Sequence, residues 1–214
     1  MAHPADPQLL VVTSVRLKGF ADEDAIAAAS GLPAADVGRV LEDLQARDLA
    51  RHREGRVSGW TLTPAGRTLH AELVAAELDR AGCAAAVEDA YQAFLDLNPR
   101  LLVTASAWQL RQEDGQAVVN DHTDAAHDQQ VLADLQALHD DAHPLAERLG
   151  GLLERYGRYG TRLGAAVRRV LAGELEWFTK PLIDSYHTVW FELHEDLLST
   201  LGKERASEES KEPA

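Results

Sequence analysis

One cysteine, Cys83, stands among 214 residues, which excludes a disulfide framework and any zinc site built from cysteines alone. It lies in Ala81-Gly-Cys-Ala-Ala85, the setting of a small packing residue. No apolar run approaches the roughly 18 residues that a membrane span requires. The opening Met1-Ala-His-Pro-Ala-Asp-Pro-Gln8 lacks the basic stretch of a secretory leader. The expectation is a soluble, cytoplasmic chain. Catalytic signatures are missing too: there is no phosphate-cradling glycine loop, no G-x-S-x-G elbow and no H-E-x-x-H. His194-Glu195 has no second histidine at the required spacing. An enzyme is therefore not expected, and no catalytic residue or cofactor is assigned. Positive charge is scarce as well: 21 Lys and Arg face 35 Asp and Glu, a formal charge of −14, which argues against a generic nucleic-acid coat.

What positive charge there is lies unevenly. Residues 1–80 hold 9 basic and 12 acidic groups, whereas residues 81–214 hold 12 and 23. Within 47–67, Arg47, Arg51, Arg53, Arg56 and Arg67 are opposed only by Asp48 and Glu54. The same stretch is preceded by Ile26-Ala-Ala-Ala-Ser-Gly31-Leu-Pro-Ala-Ala-Asp-Val37-Gly-Arg-Val40. Two short helices that cross steeply need an apolar and a small residue on the first, a glycine in the turn, and apolar residues at fixed offsets on the second. Ile26 and Ala27, then Gly31, then Leu32, Val37 and Val40 meet those requirements. The pattern predicts a helix-turn-helix followed by a wing.

Around it, Leu9, Leu10, Val12, Val15 and Leu17 predict a first helix ending at Gly19. Asp22-Glu-Asp opens the second helix with acids at its positive end. Pro33 suits the first turn of the third, which runs to about Asp48 and buries Val37, Val40, Leu41 and Leu44. Residues 50–62 predict a β-hairpin turning at Glu54-Gly55. Thr63-Pro64 reads as an N-cap and first-turn proline, launching a helix through Leu69, Leu73, Ala76 and Leu78. Beyond residue 84 the pattern is all helical. A segment through Val87, Tyr91 and Phe94 is expected to stop at Asn98-Pro99, and a second carries Leu101, Leu102, Ala105 and Trp108. A polar loop, Arg111–Gln116, follows. A helix through Val131, Leu135 and Leu138 is expected to break at His143-Pro144 and restart through Leu145, Leu149 and Leu153. Gly157, Gly160 and Gly164 weaken the next stretch. Helices near 165–172 and from Pro181 to Leu201 complete the set. The reading is a mostly α protein: a winged helix-turn-helix with a small hairpin wing (1–80), an all-α helical bundle for effector binding or dimerisation (81–202), and a disordered acidic tail (203–214).

The order of helices, wing and exit segment Trp60-Thr-Leu-Thr-Pro-Ala-Gly-Arg67 resembles the MarR-like winged-helix transcription regulators of bacteria. Val40-Leu-Glu-Asp-Leu-Gln-Ala-Arg-Asp-Leu49 also looks like the end of their recognition helix. The resemblance covers residues 8–80 and implies binding to double-stranded DNA as a homodimer under small-molecule control. The C-terminal 130 or so residues depart from that family, so its inducer site is not carried over. On the third helix, Ala34 and Ala35 can pack on thymine methyls, Gly38 allows close backbone approach, and Arg39 alone can make a bidentate guanine contact. Asp36 and Asp43 oppose phosphate. Arg51, Arg53 and Arg56 would grip phosphates or enter the minor groove, positioning more than specifying. The competing interpretation is a winged helix that contacts protein, an adaptor without sequence-specific DNA binding.

The second half concentrates Trp108, Trp177, Phe178, Tyr186, His187, Trp190, Phe191 and His194. On a helix from Pro181, two apolar stripes side by side imply burial on more than one face. Either this helix is an ordinary core element with hydrogen-bonded histidines, or Trp108, Trp177, Tyr186, His187, Trp190 and His194 line a pocket for an apolar or aromatic effector. Six histidines (122, 127, 139, 143, 187 and 194) raise metal sensing as a further alternative. His187 and His194 lie about 10.5 Å apart along a helix axis, too far for one ion, and Pro144 biases His143 out of helical conformation. No metal ligand is assigned. The run Arg155, Arg158, Arg162 with Arg168 and Arg169 either holds an anionic effector or pairs with nearby carboxylates.

Overall fold

The computed structural model describes residues 2–113 and 115–203. The fold is mostly helical, with two small antiparallel hairpins, and the chain divides into two compact units. The first holds the chain up to Val87, the segment Leu152–Arg155 and the chain from Glu195 onward. The second holds Glu88–Gly151 and Tyr156–His194. The division is thus not a single cut near residue 80. The tail expected beyond Lys203 lies outside the described residues.

Local chemistry sets the element ends of the first unit. The Asp6 carboxylate accepts the N–H groups of Gln8 and Leu9 and starts α1 (Pro7–Lys18), which Gly19 closes. Asp22 accepts the Ala25 N–H at 2.8 Å and starts α2 (Glu23–Ser30). Gly31, left-handed at φ 70°, ends it. After Pro33 comes α3 (Ala34–Ala46), then β1 (Ala50–Arg53) paired antiparallel with β2 (Gly59–Leu62), then α4 (Pro64–Ala81). The core joins Val11, Val12 and Val15 of α1 to Ile26, Val37, Leu41, Leu44, Trp60 and Leu62. Val40 and Leu32 are only partly buried at its edge. Ala21 and Trp60 exchange both backbone hydrogen bonds (2.7 and 3.2 Å), so the connection between α1 and α2 is stapled to β2.

The exit from the hairpin explains its sequence. Thr63 donates its hydroxyl to the Asp48 carbonyl (2.8 Å) and accepts the Gly66 N–H (3.1 Å), so one residue caps α4 and anchors the end of α3. Gly66 is packed so closely that an added Cβ would lie 1.9 Å from the Leu49 carbonyl oxygen. No larger residue fits there without moving backbone. The buried face of α4 is Gly66, His70, Val74 and Glu77. The expected stripe, Leu69, Leu73, Ala76 and Leu78, is only half-buried.

The second unit departs further from expectation. Asn98-Pro99 does not end a helix: α5 runs unbroken from Ala84 to Gln109 with Pro99 inside it. Likewise α6 runs from Ala125 to Leu152 through Pro144. Both prolines are exposed, so the missing N–H falls on the solvent side, where a freed carbonyl can be hydrated. The expected polar loop is a hairpin instead, β3 (Leu110–Glu113) with β4 (Gln116–Val119), Glu113 pairing with Gln116. Glycines do not weaken the stretch after residue 156 but let helices close. A Cβ on Gly150 would lie 2.8 Å from the Gly157 Cα, and α7 runs from Gly157 to Leu171 after a 3₁₀ turn at Glu154–Tyr156. A short α8 (Glu176–Thr179) precedes α9 (Tyr186–Thr200), which begins five residues beyond Pro181. Val131, Leu135, Leu138, Ala142, Leu145 and Leu149 of α6 recur at helical spacing and form the buried face that α6 contributes.

Candidate functional site

In the first unit the exposed end of α3 carries Ala34, Ala35 and Arg39, with Gly38 half-buried beside them. Arg39 is 76% exposed and its guanidinium is bound to the Asp36 carboxylate one turn back. It also rims a shallow depression of about 370 Å³ shared with Pro7, Gln8, Leu32 and Val40. Further along, Arg47 pairs with Asp43 (2.9 Å) and Arg51 with Asp48 (3.4 Å). Arg53 and Arg56, on the exposed tip joining β1 to β2, make no ion pair among the described residues. Val57 beside them is 70% exposed. At the base of the hairpin the exposed His52 ring lies 4.9 Å from that of the buried Trp60.

Sequence reading missed a buried ionic cluster in the same unit. Arg155 donates through Nε to Glu77 Oε2 (2.6 Å), through Nη1 to Asp196, and through Nη2 to Thr200 Oγ1 (2.6 Å). All three charged side chains are at most 3% exposed. Together with the backbone bonds of His3 to Leu152 and Glu154, this cluster ties Leu152–Arg155 and the end of α9 to α4 within the first unit. Near it, His70 is buried with an unpartnered Nε2. Burial holds its pKa down at about 4, with Arg16 and Arg155 pushing the same way against Asp196. His70, Val74 and Glu77 share one helix face, but nothing in the sequence marks that face, rather than the one carrying Leu69, Leu73 and Leu78, as the buried one.

The six residues expected to line an effector pocket are separated into packing groups. Trp108 lies against His122 (ring centroids 4.4 Å apart) and Phe178 (5.5 Å). Trp177 takes the Arg169 guanidinium on its face at 4.0 Å. Trp190 stacks on Phe94 at 4.7 Å and donates its indole N–H to Asn98 Oδ1 at 3.0 Å. His194 rests 5.0 Å from Phe94. Tyr186 meets Trp190 on one side and the edge of His139 on the other, at 6.2 and 5.8 Å. His187 is half-buried, and burial lowers its pKa. Trp190 therefore needs no ligand to satisfy its indole.

Among the histidines, His127 Nε2 lies 2.8 Å from the Ala107 carbonyl and His122 Nδ1 lies 3.0 Å from Asp128. Because α6 continues through Pro144, His139 and His143 do face one another, rings 5.8 Å apart. That corrects the expectation that His143 leaves the helix. Among the described residues no group of three or more His, Cys, Asp or Glu is placed to hold a metal.

The arginine run also separates. Arg162 is bound bidentately to Asp184 (2.8 and 2.9 Å) and reaches Glu192 at 2.6 Å, while Arg169 lies 3.8 Å from Glu174. Arg168 has no carboxylate partner among the described residues; it borders a cavity of about 510 Å³ with His139, Asp140, His143, Gly160, Thr161 and Gly164. No helix among the described residues is long and apolar enough to cross a membrane. No protein-family model matches the chain, and neither does any curated protein or solved structure.

Proposed function

We propose that the first unit is a winged helix-turn-helix, similar to that of MarR-like regulators, and that the protein is a ligand-responsive transcription regulator binding palindromic DNA as a homodimer. The observation that carries this reading is the pair Arg53 and Arg56: two exposed cations on a hairpin, without an ion pair among the described residues, in a chain with net charge −14. In so acidic a chain, cations left without acids are available to phosphate. Arg39 supports the reading energetically. Its exposed pairing with Asp36 is worth at most about 1 kcal/mol. So weak a pairing leaves the guanidinium available for a bidentate guanine contact, which is worth roughly 1–3 kcal/mol of discrimination against a wrong base. Ala34, Ala35 and Gly38 leave room for backbone to approach bases. One base-reading arginine gives little specificity, whereas two copies related by a twofold axis would read half-sites about 34 Å apart. The half-buried Leu69, Leu73 and Leu78 of α4 are candidates for the contact between copies.

The second reading, a protein-binding adaptor, is favoured by Asp36, Glu42 and Asp43 on the exposed side of α3. Titration of the full chain against sequence-selected and random duplexes at several salt concentrations separates the two. The regulator binds the selected duplex more tightly, loses that preference in Arg39→Ala, and sediments as a dimer at micromolar concentration. Equal, weak, salt-independent binding to both duplexes leaves the adaptor.

A further inference from the structure

Three observations single out the cavity between α6 and α7. It is lined by a cation without a carboxylate partner among the described residues, Arg168, in a half of the chain where acidic groups outnumber basic ones 23 to 12. Arg155, Arg162 and Arg169 of the same run all hold carboxylates. The cavity is also lined by His139, whose Cε1–Nε2 edge lies toward Gly164 and whose buried Nδ1 has no partner among the described residues. Finally, the backbone at Gly164 lies close under the arginine: an added Cβ would sit 3.2 Å from Arg168 Nη1, so the guanidinium would have to shift slightly, while the His139 ring would remain in ordinary contact at 3.9 Å.

We propose that this cavity, lined by Arg168, His139, His143, Thr161 and Asp140, binds a small oxyanion, a carboxylate or phosphate that also carries a hydroxyl donor. Arg168 supplies the charge and a planar fork that matches two oxygens. Thr161 supplies a hydroxyl. Burial foremost, then the nearby His143 and Arg168, hold His139 toward its neutral form, in which one ring nitrogen donates and the other accepts. Asp140 accepts from Gln136 at 2.6 Å and has lone pairs remaining for a hydroxyl on the ligand. A bare anion would leave Asp140 opposing it, which is why the ligand needs a donor as well. His143, whose Nε2 lies 3.4 Å from Glu147, borders the same space. The inference stands apart from the reading of the first unit: the cavity binds whether or not that unit engages DNA.

The test is titration of the full-length protein with inorganic phosphate and, separately, glycolate, following the imidazole ¹H–¹⁵N resonances of His139 and His143. These probes share an oxyanion with a hydroxyl and differ in which oxyanion they offer, so the tighter one identifies the source. Saturable shifts of both histidines are expected with at least one probe. Arg168→Gln should weaken that binding about tenfold or more, the loss of a charge-assisted fork, with an unchanged melting temperature because the side chain is exposed. Arg169→Gln, which removes an exposed arginine held by Glu174 and Trp177, should leave affinity within about twofold. The proposal fails if neither probe saturates, if Arg168→Gln binds as the unsubstituted protein does, or if Arg169→Gln weakens binding equally. Saturable shifts with Zn²⁺ but with neither anion also overturn it and give the site to a cation.

Discussion

Arg155 and the pair Arg53 and Arg56 belong to one unit and put the same side chain to opposite uses. Arg155 is enclosed, its three nitrogens all committed to Glu77, Asp196 and Thr200. Arg53 and Arg56 stand in solvent with no ion pair among the described residues. A buried guanidinium must be matched by acids at hydrogen-bond distance, or its desolvation is not recovered. An exposed one gains little from a partner and remains available to a ligand. The contrast separates cations that hold α4, the segment before α7 and the end of α9 together from cations that face outward. Composition cannot make that distinction, because both kinds count as one positive charge.

The largest effect is expected where the matching is strictest. Arg155→Met leaves Glu77 and Asp196 buried with no cation, and breaking such a cluster from one side costs roughly 3–5 kcal/mol. Chemical denaturation should show an unfolding free energy lowered by that amount, read as a lower midpoint at unchanged slope, or no cooperative transition at all. A triple substitution that also replaces Glu77 and Asp196 with apolar residues of similar volume should recover much of the loss. Equal instability of the single and triple variants would mean that shape, not charge, holds the site.

His70 sharpens the same contrast through pH. Its folded pKa is depressed to about 4 from the ordinary 6.5, chiefly by burial, so the folded protein favours the neutral ring. The unfolded chain takes up a proton as pH falls through 6.5, while the folded one waits until about 4. Stability from this group is therefore fully present above pH 6.5 and is lost progressively between 6.5 and 4. The full loss is about 3 kcal/mol if the shift is taken at face value. Unfolding curves at pH 7 and pH 4.5 should differ less for His70→Gln than for the unsubstituted protein. An identical difference in both would place the acid sensitivity elsewhere.

How much of this was legible in the sequence followed how locally each feature is encoded. The first unit was readable because its boundaries are written in single residues: Asp22 and Thr63 as caps, Gly19 and Gly31 as stops, Gly66 where α4 meets Leu49. Pro99 and Pro144 misled because the bias against helix before proline is a preference, and packing along a 26- or 28-residue helix outweighs it. The hairpin β3–β4 was signalled by Asp114-Gly115, a pair that favours tight hairpins, but its strands are short and mostly exposed. The ionic cluster was not legible: Glu77, Arg155 and Asp196 are 78 and 41 residues apart. The cavity at Arg168 was half legible. The arginine run was visible, but which arginine lacks an acid depends on the fold.

The smallest effect on stability is expected at the hairpin tip, and its smallness is the point. Arg53→Ala and Arg56→Ala remove cations that hold nothing in the folded chain, so unfolding free energy should change by no more than about 0.5 kcal/mol. DNA is where the loss should register. Each phosphate contact contributes about 0.9 to the slope of log affinity against log salt, so the double variant should lose nearly two units of slope if both arginines reach phosphate. Discrimination between selected and random duplexes should survive, because phosphate contacts position the protein without reading bases. Arg39→Ala should do the reverse, reducing discrimination by roughly 1–3 kcal/mol while the slope changes little. A double variant that is as stable as the unsubstituted protein but keeps its full salt slope would show that the tip arginines, though free, are not what meets the backbone.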